Sequence, residues 1–173
     1  GICYKETANE LNGCINDIID VKNLLIEKFD YKDQNIKLLS DDTPIIPTQV
    51  NILKSMIKLV NDAQPGDQLC LYYSGHGTQI KDRDGDEKKG LDDAIYTLDG
   101  KIIIDDDILN IFKNLNGAHI TMFFDCCHSG TMCDLPYNLR YNNSKFELWT
   151  EKSHKINGSV SLFSGCLDPQ TSS

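Results

Sequence analysis

The chain is poor in proline, with 5 residues, carries one tryptophan, and has no uninterrupted apolar run near the ~20 residues that span a bilayer. With 12 glycines among 173 residues and no G-x-y period, collagen-like and proline-rich disordered compositions are excluded. Positive charge is scarce too. Lys plus Arg number 17 against 26 Asp plus Glu, a net charge of −9, so long-range repulsion disfavours nucleic-acid and anionic-membrane surfaces and suits cationic partners or metal ions. No basic-then-apolar leader opens the sequence, and the expectation is one soluble globular domain. C-x-x-C is also absent. The seven cysteines, Cys3, Cys14, Cys70, Cys126, Cys127, Cys133 and Cys166, are odd in number and several sit in apolar runs, which predicts a reducing, cytoplasmic setting rather than a disulfide framework.

What is present is an alternation of strand and helix patterns. Ile15, Ile18, Ile19, Leu25, Ile26 and Phe29 recur at helical spacing and predict a helix from Gly13 to Phe29, followed by a strand from Ile36 to Leu39. Pro47-Thr48 offers the start of a second helix with Ile52, Leu53, Met56, Ile57 and Val60 on one face, ended by Pro65-Gly66. Gln68 to Tyr73 and Ile120 to Phe124 read as buried strands. Between them lie an acidic loop from Lys81 to Asp93, short strands at Ala94–Leu98 and Ile102–Ile104, and Asp105 as the cap of a helix that runs to about Leu115. Asn138 to Gly158 reads as a polar loop, and Ser159 to Phe163 as a further strand. This order predicts an α/β fold, a three-layer α/β/α sandwich on a mainly parallel sheet with right-handed crossovers. In such sheets the functional crevice lies beyond the carboxyl ends of the strands.

Two unusual loops fall there: Ser74-Gly75-His76-Gly77 after one buried strand, and Asp125-Cys126-Cys127-His128-Ser129-Gly130 after the other. A thiol nucleophile needs an imidazole that takes its proton and later protonates the leaving amine, and the two must meet in space rather than in sequence. His76 and Cys127 fit this, at an interval close to the roughly 50 residues that separates base and nucleophile in caspases. Gly75 and Gly77 allow a tight turn that presents His76, while Gly130 and the amides after Cys127 could supply an oxyanion hole. A zinc site from Cys126, Cys127, His128, Cys133 and His76 is the weaker reading, because adjacent ligands rarely converge on one tetrahedral ion.

The segments LCLYYSGHGTQIKDRDGDEKKGLDDAIY and ITMFFDCCHSGTMCDLPY resemble the two signature regions of the metacaspases, caspase-like cysteine peptidases. The likeness runs from Gly13-Cys14-Ile15-Asn16-Asp17 to Leu162-Phe163-Ser164-Gly165, and the short interval between Cys127 and the Ser159 strand is similar to the type I arrangement. The resemblance implies a caspase-like fold, Cys127 as nucleophile, His76 as general base, and cleavage after Arg or Lys in a pocket lined by Asp17, Ser74 and Asp125. A carboxylate at the base of a pocket pairs well with guanidinium and repels the Asp that caspases require. The resemblance further implies a large-subunit-like region over residues 1–137, a linker over 138–158 with Lys145, Lys152 and Lys155 as candidate self-cleavage points, a small-subunit-like start over 159–173, and a monomer.

Acidic residues cluster in three places: Asp82, Asp84, Asp86, Glu87, Asp92 and Asp93, then Asp105, Asp106 and Asp107, then Asp134. Carboxylates that repel one another until a cation arrives make a natural calcium switch, although DRDGDE lacks the glycine and glutamate positions of an EF-hand. The family resemblance implies calcium as activator, on Asp92, Asp105, Asp106 and Asp134. The expected function is thus a calcium-stimulated cysteine endopeptidase acting on protein or peptide substrates with Arg or Lys before the scissile bond, through an acyl-enzyme. The alternatives are a catalytically silent caspase-fold scaffold or calcium-binding module, and a legumain-like peptidase with different specificity.

Overall fold

Leu69, Leu71 and Tyr73 alternate with Cys70, Tyr72 and Ser74, and a strand forms over Gln68–Ser74 (β1) whose register sets this first group beside Ile120, Met122 and Phe124 of His119–Asp125 (β5). Ser159–Ser164 (β8) extends the same parallel sheet, with Val160 and Leu162 on the same face, in the order β1-β5-β8. The computed structural model describes residues 1–81, 91–127, 132, 133, 135–142, 145–150 and 155–165, the side chains of 140–142 and 149 excepted.

Helices Gln49–Asp62 (α2) and Asp105–Phe112 (α3) bury Ile52, Met56, Val60, Ile108 and Phe112 in one cluster with Tyr73, Ile120, Met122 and Phe124, which makes the main core. The Thr48 hydroxyl caps α2 by accepting from the Asn51 amide at 3.3 Å. Cys14–Phe29 (α1) lies against the other face of β1, where Ser74 Oγ donates to Asp17 of the helix. Gly13, at φ 102°, starts α1 in a conformation that suits glycine. The expected α/β/α arrangement on a parallel sheet is present, and among the described residues no helix is long and apolar enough to cross a membrane.

Four expectations are corrected. Ile36–Leu39 is not a paired strand: Leu39 O accepts from the Gly1 amine at 3.1 Å, and an isolated bond makes no ladder. The acidic loop is shorter than the composition suggested, because Gly77–Lys81 (β2) and Leu91–Tyr96 (β3) pair antiparallel, with Ile102–Ile104 (β4) beside β3. Asp105 is the first residue of α3 rather than its cap, and the helix ends at Phe112, not Leu115. The segment read as a polar loop holds an antiparallel hairpin, Tyr137–Asn142 (β6) with Lys145–Thr150 (β7).

Candidate active site

β1 and β5 end side by side, with Ser74 opposite Asp125 in the register, so the two loops singled out in the sequence leave the sheet as neighbours. Gly77 fixes how closely they approach. A Cβ at that position would lie 1.8 Å from the Cys127 carbonyl oxygen and 3.1 Å from Cys126 Sγ, which only glycine avoids. The half-buried His76 therefore precedes a residue packed directly on the Cys127 main chain, while Cys126 is 1% exposed and belongs to the core. Of the two adjacent thiols, Cys127 is the more accessible.

His76 is held from several sides. Its Nε2 lies 2.8 Å from the carbonyl oxygen of Asn9, an atom that can only accept, so Nε2 carries the proton and Nδ1 is the basic nitrogen. The Tyr4 ring packs against the imidazole with centroids 4.9 Å apart. Asn9 sits in a tightly turned loop, with Asn9 N donating to Thr7 Oγ1, Thr7 N to Tyr4 O and Leu11 N to Cys3 O. Asn9 and Tyr4 carry no motif that would mark them in the sequence. The imidazole partner is thus a main-chain carbonyl, while the Asp125 carboxylate receives the Tyr72 hydroxyl at 3.4 Å.

The three residues assigned to a substrate pocket come together. Ser74 Oγ donates to Asp17 Oδ2 at 2.9 Å, and its register partner Asp125 follows at a strand spacing of about 4.8 Å. Tyr72 lies on the same sheet face as Ser74, and burial, helped by the charges of Asp125 and Asp17, pushes its phenol up to about 12. It therefore stays protonated and acts as a donor to the acid. Gly165, just past β8, is a neighbour that sequence reasoning missed: its Cβ position lies 3.2 Å from Asp125 Oδ1.

The acidic residues are only partly placed. Asp92 and Asp105 are buried, and Asp106 is half-buried on the first turn of α3. Asp105 accepts from the Asp93 amide at 3.2 Å and from the Asp106 amide at 3.0 Å. Burial and then the Asp93 charge raise its carboxyl from the ordinary 3.8 to about 8. Among the described residues no three His, Cys, Asp or Glu side chains form a group able to hold a metal ion. Asp134, the acids of 82–90, and the 128–131 segment with Gly130 lie outside the described residues.

The raised Asp105 carboxyl has a thermodynamic consequence. The folded state keeps a proton that the unfolded chain releases near pH 3.8, so this contribution is full below pH 4 and is lost progressively as pH climbs toward 8. In chelator, thermal stability falls over that range. Asp105→Asn flattens the slope: it is the less stable protein near pH 4, because an amide offers one acceptor where the carboxyl serves two amides, and it loses that deficit as pH rises and the parent's carboxyl ionises. Melting curves at intervals of pH check both.

Comparison with known proteins agrees with this geometry. Residues 1–136 match the metacaspase, peptidase C14 domain family. The chain is 48% identical over 145 residues to metacaspase-1 of Kluyveromyces lactis, covering 79% of this chain and 34% of that protein. It is 46% identical over 145 residues to metacaspase-1B of Aspergillus fumigatus, covering 79% and 36%. It thus spans about a third of the length of these curated relatives. A crystal structure of a Geobacter sulfurreducens protein superposes with a TM-score of 0.69 at 25% identity, over 98% of this chain and 69% of that one. With both signature loops set at adjacent strand ends of an α/β/α sandwich, the chain belongs to the metacaspase family and has its caspase-like fold.

Proposed function

We propose that the chain is the catalytic region of a calcium-stimulated cysteine endopeptidase that cleaves after Arg or Lys. His76 Nδ1 takes the proton of the Cys127 thiol, and the sulfur attacks the scissile carbonyl carbon. The same nitrogen returns the proton to the departing amine, and water then hydrolyses the thioester with His76 again as base. The observation that carries this reading is the seating of Gly77 on the Cys127 main chain, with the adjacent His76 already committed through Nε2 to Asn9. No side-chain third member is required, because a carbonyl that accepts from Nε2 fixes the tautomer and the ring.

The specificity part rests on two carboxylates, Asp17 and Asp125, each receiving one hydroxyl at the mouth of the sheet. Each retains acceptor capacity for a planar guanidinium or an ammonium. The calcium part rests on Asp92 and Asp105 as buried carboxylates that a hard cation would compensate, with Asp106 and Asp134 completing the oxygen set by family likeness. Calcium would supply positive charge there and no covalent chemistry.

The test is hydrolysis of fluorogenic peptides with Arg, Lys, Asn or Asp before the reporter, in calcium and in chelator, on this chain and on one extended past Ser173. The expected result is cleavage after Arg and Lys that needs calcium, with Asp17→Asn lowering kcat/KM for Arg about tenfold or more through the lost charge-assisted contact. Preference for Asn would favour a legumain-like specificity, and silence from both folded proteins a scaffold.

A further inference from the structure

His76 lies two residues past the end of β1 and just before β2, so the β1 ladder does not carry its main chain. Other groups hold it. The His76 amide donates to the Tyr4 hydroxyl at 3.1 Å, and the His76 carbonyl accepts from the Tyr73 hydroxyl at 2.8 Å and from the Tyr96 amide at 3.0 Å. Tyr4 and Tyr73 are 2% and 6% exposed, with their oxygens 3.2 Å apart, directly beneath the turn. A Cβ on Gly75 would come within 2.7 Å of the Tyr73 oxygen and 3.2 Å of the Tyr4 oxygen, so glycine at that position is what lets the turn settle on the pair.

Each phenol has a single proton, and counting protons separates their roles. Tyr4 donates to the Tyr96 carbonyl at 2.7 Å, so toward the His76 amide it is an acceptor. Tyr73 has the His76 and Tyr96 carbonyls within reach, at 2.8 Å and 3.0 Å. If the Tyr73 hydroxyl is removed, His76 O keeps the Tyr96 amide and Tyr96 O keeps Tyr4. If the Tyr4 hydroxyl is removed, the His76 amide loses its acceptor. Tyr4 also anchors the loop that delivers Asn9, since its carbonyl accepts from Thr7 N and Thr7 Oγ1.

We infer that Tyr4 is a positioning residue for His76: its hydroxyl fixes the main chain from which the imidazole projects, and its carbonyl orders the loop whose Asn9 fixes the ring. This rests on the reading of His76 as the base. The effect is unequal between the two tyrosines. An amide left without an acceptor in a half-buried turn is costly, whereas a carbonyl that keeps one donor of two loses little.

The test compares Tyr4→Phe, which keeps the ring against His76, with Tyr73→Phe and His76→Ala. Two readouts are taken on the full chain: kcat and KM on the best peptide, and the rate of Cys127 alkylation by iodoacetamide across pH, followed by peptide mass spectrometry. Tyr4→Phe is expected to lower kcat and neutral-pH alkylation about five- to tenfold with KM within about twofold, moving the alkylation profile toward that of His76→Ala, while Tyr73→Phe loses about twofold. Equal losses in the two variants, or a Tyr4→Phe alkylation profile identical to the parent, overturn the inference. Equal alkylation in the parent and His76→Ala overturns the base assignment itself, and the role of Tyr4 with it. Amide exchange in the unsubstituted protein decides independently of how the variants fold: a His76 amide protected despite its place in a turn supports the inference, and an unprotected one contradicts it.

Discussion

Gly77→Ala lowers turnover about 100-fold or more and destabilises the protein by about 3 kcal/mol or more, its methyl making the tightest approach of any added among the described glycines. Its Cβ would stand 1.8 Å from the Cys127 carbonyl oxygen. The obstacle is backbone, not the flexible end of a side chain, so relief requires the β1–β2 turn and the loop after β5 to separate. That separation moves His76 and Cys127 apart, and a displacement of about 1 Å between reacting groups can cost on the order of 100-fold in rate. Melting temperature and kcat/KM report the two consequences separately. Gly66→Ala is the control, because its Cβ position meets nothing within 4 Å, although its φ of 87° adds local strain. A Gly77→Ala protein with parental activity would mean that the two loops do not meet as described.

The second large effect separates the adjacent thiols. Cys127→Ala lowers turnover by about four orders of magnitude or more, the scale seen when a nucleophile that works as a unit with its base is removed. Cys126→Ala keeps turnover within about threefold and instead loses about 1 kcal/mol of stability, because Cys126 is a 1% exposed core residue whose sulfur packs near Gly77. The contrast follows from alternation at the end of β5. Phe124 and Cys126 lie in the core, Asp125 between them is exposed, and Cys127 is half-buried beyond. Single-turnover kinetics and melting curves on the pair of variants check the split. Loss of turnover in Cys126→Ala with a normal melt would reverse the assignment.

Much of this was legible in the sequence because it is written in local pattern. The helical face of α1 from Ile15 to Phe29, the apolar runs that became β1 and β5, and the two loops that follow them all appear within short windows. The hairpins were harder. Gly77–Lys81 is short and polar, and its partner begins only after the acidic run, so pairing rather than composition makes it a strand. In β6 and β7 the signal was present: Tyr137, Leu139 and Tyr141, then Phe146 and Leu148, alternate around Asn142-Asn143-Ser144, but dense polar neighbours masked the period of two. Ile36–Leu39 failed for the opposite reason, a mostly apolar run whose backbone meets the Asp33 carbonyl and the Gly1 amine rather than a neighbouring strand. The site divided in the same way. His76, Cys127, Ser74 and Asp125 announce themselves by motif, whereas Asn9 acts through a main-chain carbonyl and Tyr4 through a contact 72 residues distant in sequence, which no local window contains.

The central claim is that Cys127, activated by His76, is the nucleophile. The most direct measurement is covalent trapping with a peptidyl-arginine chloromethyl ketone, followed by mass spectrometry to locate the modified residue in parent, His76→Ala and Cys126→Ala proteins. The reading predicts one label on Cys127 in the parent and in Cys126→Ala, and labelling slowed to the rate of an unassisted thiol in His76→Ala. A label on Cys126, or labelling of Cys127 at an unchanged rate without His76, would contradict it.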